Sequence, residues 1–266
     1  MSKLQVLLAT RNQQDFTIAE KMNISCDAVI ANQADRDQVE RWQTPAGTWE
    51  MITTTTTGVG LNRNIALNAA TAEFVLFADD DVVYNDGMPA AVVAAFRENP
   101  RADVIIFGMD IVKGDVVTER RHLKNKRLRL TNALRYGTYT IAARRAALTD
   151  IRFHEMFGGG CPFSAGEDTL FLKACFDHKL RVYSHTYVLG TCRKDESSWF
   201  TGYHEKYFYD KGVLLRQLFP KAHYLVAPYF AFFFKRKTKI PPFQRLKLIL
   251  SGIRGGKNMV PYEEKQ

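Results

Sequence analysis

Two groups of carboxylates in this chain have the types and spacing to do chemistry. Asp79-Asp80-Asp81 follow directly on the apolar run Phe74-Val75-Leu76-Phe77-Ala78, and Glu167-Asp168 follow Gly166, shortly after the run Gly158-Gly159-Gly160. Three adjacent carboxylates repel one another and need a cation, and a hard divalent ion with oxygen ligands is the usual answer. A polar turn after a strand is the plainer alternative. Glu167-Asp168 open a helical pattern, TLFLKACFDH. A helix N-terminus stabilises negative charge, which would keep Asp168 ionised and able to accept a proton. The plainer alternative there is a carboxylate that only caps the helix. Taken together, the two groups suit a metal-held diphosphate at one site and a base at the other.

The elements that must position these groups follow from the apolar pattern. Phe74–Ala78 reads as a strand buried on both faces, the kind found in parallel α/β sheets, whose ligands sit beyond the carboxyl ends of the strands. Leu4–Ala9, Asp27–Ala31 and Val104–Gly108 read as further short strands, and Trp49–Thr57 is β-rich by propensity. Helices are expected over 13–22, 61–72 and 88–99, the last with Pro89 in its first turn and Pro100 after its end. The polar stretch 35–48, with Pro45 and Gly47, reads as loop with at most a helical turn. In the second half, 139–143 and 180–187 read as strands, with helices over 144–149 and 169–178. Strands alternating with helices of about ten residues imply βαβ units and a mostly parallel sheet. The expected organisation is one α/β nucleotide-binding domain over 1–190 and a C-terminal extension over 191–266.

Bulk properties narrow the function classes. The 266 residues carry a net charge of +9, from 37 Lys and Arg against 28 Asp and Glu. Eight of those cations lie between Lys235 and Lys257 with no acidic residue among them, and without them the chain is nearly neutral. A nucleic-acid partner for the main body is therefore not expected. Cys26, Cys161, Cys175 and Cys192 show no C-x-x-C spacing, which suits reduced thiols in a cytoplasmic protein. The longest apolar run, Tyr224–Phe234, is broken by Pro228 and is shorter than the ~20 residues of a membrane span. The apolar run Leu4–Ala9 is too short for a signal peptide.

Two basic stretches complete the pattern. Between Arg120 and Arg135, seven of sixteen residues are Lys or Arg, consistent with either a solvated helix face or a phosphate site. In the tail, Phe243–Ile253 has the pattern of a basic amphipathic helix. Residues 224–257 could lie on an anionic membrane surface or pack back on the domain with a solvated basic face.

Several of these landmarks stand in an order that resembles the GT-A type nucleotide-sugar glycosyltransferases, specifically the large inverting family 2 that elongates bacterial surface polysaccharides. Thr10-Arg11-Asn12 after the first strand is similar to the family's T-Y-N. Gly58–Asn64 (GVGLNRN) resembles its G-L-S-x-A-R-N helix start, Ala78–Asp81 its D-x-D region, and Gly166-Glu167-Asp168 its G-E-D. Ser197-Ser198-Trp199 is also similar to a segment of some members. The resemblance covers roughly residues 1–190.

The resemblance implies a Rossmann-like GT-A fold and transfer of a sugar from a nucleoside diphosphate, UDP by expectation. The acceptor would be a hydroxyl of a saccharide or of a polyprenyl-linked molecule, in the synthesis of cell-surface polysaccharide. Asp81 and Asp79 would hold the divalent ion, Mn²⁺ or Mg²⁺, and Asp79 or Asp80 would also reach the ribose. Thr10 and Asn12 would line the nucleotide pocket, and Arg63 would contact the base or hold the acidic loop. Asp168 would be the general base, with Glu167 beside it as helper. Where the family carries an acidic D-D-G-S stretch to read the nucleotide base, this chain has Asn32-Gln33-Ala34-Asp35, so that role falls to Asn32, Asp35 or Asp37. The Ser expected near Gly60 is absent. The location implied is the cytoplasm, with peripheral attachment to the inner face of the membrane through the basic tail. Competing readings are a nucleotidyltransferase, against which Leu8–Gln14 offers no glycine-rich phosphate loop, and a catalytically degenerate sugar-nucleotide-binding protein. A two-carboxylate glycosidase is a weaker fit, because it would have no use for three adjacent aspartates.

Overall fold

The computed structural model describes residues 3–122, 124–193, 202–233 and 238–262. In chain order the first half contains β1 (Leu4–Arg11), α1 (Thr17–Lys21), β2 (Asp27–Gln33), β3 (Gln38–Thr44), β4 (Gly47–Thr54), α2 (Val59–Ala69), β5 (Phe74–Asp79), β6 (Val82–Tyr84), α3 (Met88–Glu98) and β7 (Val104–Lys113). The second half contains β8 (Val116–Arg120), β9 (Lys126–Arg127), α4 (Leu130–Ala133), β10 (Ile141–Arg144), α5 (Glu167–Asp177), β11 (Val182–Arg193), α6 (Glu205–Leu218), α7 (His223–Phe233) and α8 (Pro242–Gly255). One mixed sheet runs in the order β3-β4-β2-β1-β5-β10-β7-β11-β6, with β8 paired to β7 and β9 to β11. The neighbours β4, β2, β1 and β5 are mutually parallel, and β10 runs antiparallel between β5 and β7.

The apolar run of β5 explains its central place. Alternate side chains point to opposite faces of a strand, so Phe74, Leu76 and Ala78 join the core cluster on one face while Val75 and Phe77 join the other. On the second face Phe77 meets Phe153 and Phe171 edge-on, and those two rings stack at 4.1 Å between centroids. Helices α2 and α5 pack on this face, so their N-termini reach the same sheet edge as the carboxyl end of β5.

Four expectations from the sequence change. Residues 35–48 are not loop: Gln38–Thr44 forms an edge strand in antiparallel register with β4, Trp42 opposite Trp49. Its residues are mostly exposed, so burial leaves no pattern in the sequence, and the strand is fixed by partners: Trp42 packs on Trp49 and Phe16 at 5.7 and 5.6 Å between centroids. The helix expected over 13–22 is only Thr17–Lys21. The Asn32 side chain binds both the N–H and the carbonyl of Gln13, which holds that stretch out of helical geometry. The basic stretch 120–135 is not one helix face but the end of β8, the short β9 and one turn of α4. The α/β unit also extends past residue 190, because β11 stays paired with β6 through Cys192 and with β7 through Arg193.

The tail packs back on the domain through glycines. A Cβ on Gly212 of α6 would stand 2.0 Å from the Ile249 carbonyl, and one on Gly252 of α8 would stand 1.9 Å from the Tyr209 carbonyl, so the two backbones are in direct contact. Ile249 and Ile253 are buried there with Phe208 and Leu215. The apolar side of the helix expected over 243–253 is therefore covered by protein. The exposed apolar side chains belong chiefly to α7: Tyr224, Leu225, Tyr229, Phe232 and Phe233, with Phe243 of α8 beside Phe232. Phe234–Lys237 and Ser197-Ser198-Trp199 lie outside the described residues. Gly252→Val should force α8 off α6 and lower stability by about 1–3 kcal/mol, the usual range for overpacking, read as a lower urea midpoint and faster proteolysis within α8.

Candidate active site

The carboxyl end of β5 delivers the acidic triplet. Parallel register sets Ala9 of β1 against Asp79. Thr10 therefore lies beside Asp80, and its hydroxyl donates to Asp80 Oδ2 at 2.7 Å. Asp80 and Asp81 form the turn into β6, where the Asp81 carbonyl accepts the Arg193 N–H at 2.8 Å. Asp79, the last residue of β5, turns to the α2 face.

Arg63 of α2 meets it there. The guanidinium donates to Asp79 Oδ1 at 2.6 Å and lies 3.3 Å from Glu167 and 3.4 Å from Asp168. Its side chain is 4% exposed and sits over the Phe153 ring at 5.4 Å. Burial opposes its charge, but the fields of Asp79, Asp168 and Glu167 outweigh that, so it holds its proton more tightly than a free arginine. Arg63 thus bridges the end of the acidic strand and the first turn of α5. Asn62 and Asn64 anchor the helix that carries it. Asn62 donates to the Thr10 and Ala31 carbonyls at 3.0 and 2.8 Å, and Asn64 exchanges hydrogen bonds with the Phe153 backbone.

Glu167 and Asp168 form the first turn of α5, as their pattern suggested. Gly166 precedes them at φ +123°, a conformation that side chains rarely adopt, and a Cβ on it would strike Leu214. Gly158, at φ +103°, leaves the space into which the Glu167 carboxylate fits. Thr138 donates its hydroxyl to Asp168 Oδ1 in a very short contact. Burial, with Glu167 next, pushes the Asp168 carboxyl up to about 7; Arg63 and the Thr138 hydroxyl hold it down, and Asp79 adds to the rise. The expectation of an ionised Asp168 at the helix start is modified: burial raises its proton affinity toward neutrality. A carboxylate poised near neutrality is well matched to proton abstraction. Thr138 carries no motif in the sequence and is found only through the fold, which turns the 138–140 segment against β5.

The remaining expected residues are placed unevenly. Asn12 is exposed at φ 56°, its N–H on the Gln33 carbonyl at 2.8 Å. Asn32 needs correction as a reader of the nucleotide base. It is completely buried, and its amide is engaged by Gln13 and Thr53. It locks the loop after β1 and presents no edge to a ligand. Asp37 accepts the Thr55 N–H at 2.9 Å, whereas Asp35 is 92% exposed and only 3.7 Å from Arg36.

A metal would meet a partial coordination set. No group of three or more His, Cys, Asp or Glu is arranged for an ion among the described residues. Asp79 Oδ1 belongs to Arg63 and Asp80 Oδ2 to Thr10, so neither of these carboxylates offers both oxygens to an ion. That fits an ion held by one or two carboxylates and completed by substrate phosphates, as Mg²⁺ sites commonly are, and not an all-protein cage.

Removing the Arg63 charge, as in Arg63→Met, leaves three carboxylates facing one another and should cost roughly 3 kcal/mol in urea unfolding. If Asp168 is the base, activity should climb as pH rises through about 7, well above the ordinary carboxylate range. Thr138→Val removes a donor to the charged form and should move that limb to higher pH.

A family model described as glycosyl transferase family 2 matches residues 27–157, nearly half of the chain. No curated protein matches the chain significantly. Among solved structures, S. aureus TarS 1–349 in complex with UDP-GlcNAc is 21% identical with a TM-score of 0.66, covering 97% of this chain and 82% of that one. The same segment in complex with UDP gives 19% identity, a TM-score of 0.59 and coverage of 96% and 72%. A longer S. aureus TarS structure gives 22% identity and a TM-score of 0.61, over 88% of this chain and 44% of that one. These similarities show a shared GT-A fold.

Proposed function

From a GT-A fold whose residues 27–157 match the model described as glycosyl transferase family 2, we propose an inverting glycosyltransferase that moves a sugar from a nucleoside diphosphate to an acceptor hydroxyl. One observation carries the reading: a single buried guanidinium, Arg63, touches both Asp79 at the end of β5 and Glu167-Asp168 at the start of α5. A donor diphosphate at the first group and a base at the second would therefore share one cleft.

In this reading Asp168 takes the proton of the acceptor hydroxyl while the oxygen attacks the anomeric carbon in line. The bond from that carbon to the diphosphate oxygen breaks, and the configuration inverts. Glu167 and Arg63 hold Asp168 in place, and Thr138 orients its carboxylate. A divalent ion, Mn²⁺ or Mg²⁺, when bound would neutralise the charge gathering on the leaving diphosphate. Asp81, with the second oxygen of Asp79, is proposed to hold it. Thr10, Asn12 and Asp80 line the donor side. Asp35 is the remaining candidate for the base contact. UDP is favoured as the nucleotide because S. aureus TarS, which shares the fold, has been crystallised with UDP and UDP-GlcNAc.

The proposed division of the chain is a glycosyltransferase domain through Arg193 and a helical extension, α6 to α8. Membrane attachment is assigned to α7, not α8. Five exposed apolar side chains on α7 and Phe243 beside them form a patch of the kind that enters a bilayer interface, with Lys221, Lys239 and Lys247 exposed on neighbouring segments. No helix among the described residues is long and apolar enough to cross a membrane.

The test of function is transfer or hydrolysis of a UDP-sugar panel with Mn²⁺. Asp168→Asn should keep UDP binding and lose about 10²–10⁴-fold in transfer, the usual weight of a general base. Asp81→Ala should weaken metal-dependent UDP binding about tenfold or more. Full transfer by Asp168→Asn would remove the assignment. For the membrane, the double variant Leu225→Ser/Phe233→Ser should leave vesicles containing anionic lipid under conditions where wild type floats with them. Equal flotation of the two proteins would rule out α7.

A further inference from the structure

The basic stretch 120–135 plays no part in the donor or metal reading, yet the fold gathers it around a cavity of about 480 Å³. This volume lies in the range of small-molecule sites. Arg120, Lys124, Lys126 and Arg135 line the cavity, and no Asp or Glu does. Among the described residues none of these four cations has an ion pair. The nearby carboxylates Asp110 and Glu119 are instead held by Arg121, at 2.9 and 3.1 Å. Four unneutralised cations around one concavity focus a positive field that a single anion would not exhaust. His122 registers that field: burial first, then Arg135 and Lys126, hold its imidazole below the usual range.

Position links the cavity to Asp168. Tyr136 and Gly137 line it and lie between two contacts to the first turn of α5. Thr169 donates to the Leu134 carbonyl at 3.4 Å, and Thr138 donates to Asp168. Tyr136 packs on the core face that also carries α5. The donor end of β5 is two strands away from β7, about 10 Å at the usual strand spacing, so the cavity is separate from the place of the donor diphosphate. A ligand bridging the two regions would meet an acidic end, where a hydroxyl can lose its proton, and a cationic end that demands an anion. Two arginine forks and two lysines suit phosphate oxygens better than a lone carboxylate.

We propose that this cavity seats a phosphate group of the acceptor, so that the acceptor is a phosphate-bearing polyol, saccharide or lipid whose hydroxyl is thereby held at Asp168. The proposal rests on the glycosyltransferase reading, and its test separates the two. Isothermal titration of the full chain is carried out with glycerol 3-phosphate, glycerol and farnesyl phosphate, each in the presence of saturating UDP and Mn²⁺. Glycerol 3-phosphate should bind alongside UDP and weaken at higher salt, and glycerol should not bind. Lys126→Gln/Arg135→Gln, two exposed positions, should lose at least about tenfold in affinity for glycerol 3-phosphate, as expected for loss of charge-assisted contacts, with UDP affinity unchanged. Tighter binding of farnesyl phosphate would assign the phosphate to a lipid-linked acceptor, and tighter binding of glycerol 3-phosphate to a soluble one; both support the proposal. Normal UDP binding with neither glycerol 3-phosphate nor farnesyl phosphate binding, or with equal binding by the double variant, would overturn the proposal alone. Absence of UDP binding would overturn the donor reading instead.

Discussion

Arg63 and the three carboxylates around it are the constraint on which the site depends. A guanidinium with a 4% exposed side chain is costly to hold unless it is paired, and here it is paired with groups from two elements more than eighty residues apart in sequence. The pairing is unequal, one cation to three anions, so the cleft keeps a negative excess even before Asp80 and Asp81 are counted. Burial first, and then that excess, raise the proton affinity of Asp168, and the excess leaves the end of β5 attractive to a cation. The same contact therefore holds the architecture together and sets the electrostatics of the cleft.

The scaffold serves that contact. Parallel register between β1 and β5 brings Thr10 to Asp80. The asparagines of α2 fix its height over the strand ends, and the Phe77-Phe153-Phe171 cluster supports Arg63 from beneath. Glycines stand where backbone must come close: Gly158 beside the Glu167 carboxylate, and Gly212 and Gly252 between α6 and α8. Charge is distributed in the same ordered way, with carboxylates at the end of β5 and the start of α5 and cations around the cavity between the 120–126 and 135–137 segments. A ligand spanning the two would be oriented by their opposite fields.

Much of this was legible in the residues. Continuous apolar runs marked the buried strands, because a strand covered on both faces tolerates few polar side chains, and Pro89 and Pro100 bracketed α3. The edge strand β3 was not legible, since a mostly solvent-facing strand has no reason to alternate and is held by Trp42 against Trp49. Asn32 reads from sequence like a pocket amide after a strand, but its burial and its hydrogen bonds to Gln13 and Thr53 show a structural lock. The tail's amphipathic pattern in α8 was real. What the pattern faces, α6 and not a membrane, depends on two glycines in different helices.

The sequence by itself determined which residues could do chemistry and which side of the sheet they share: acidic side chains directly after a buried strand, and at a helix start after glycines, have few other places to go. Tertiary structure alone decided how they are connected. Arg63, Thr138 and Asp168 come from three distant segments, and only their packing makes burial the largest influence on Asp168. It also turned a run of cations that reads equally as a solvated face or a phosphate site into the wall of a cavity. Charge placement depends on which groups the fold brings within a few ångströms, and no local pattern encodes that distance.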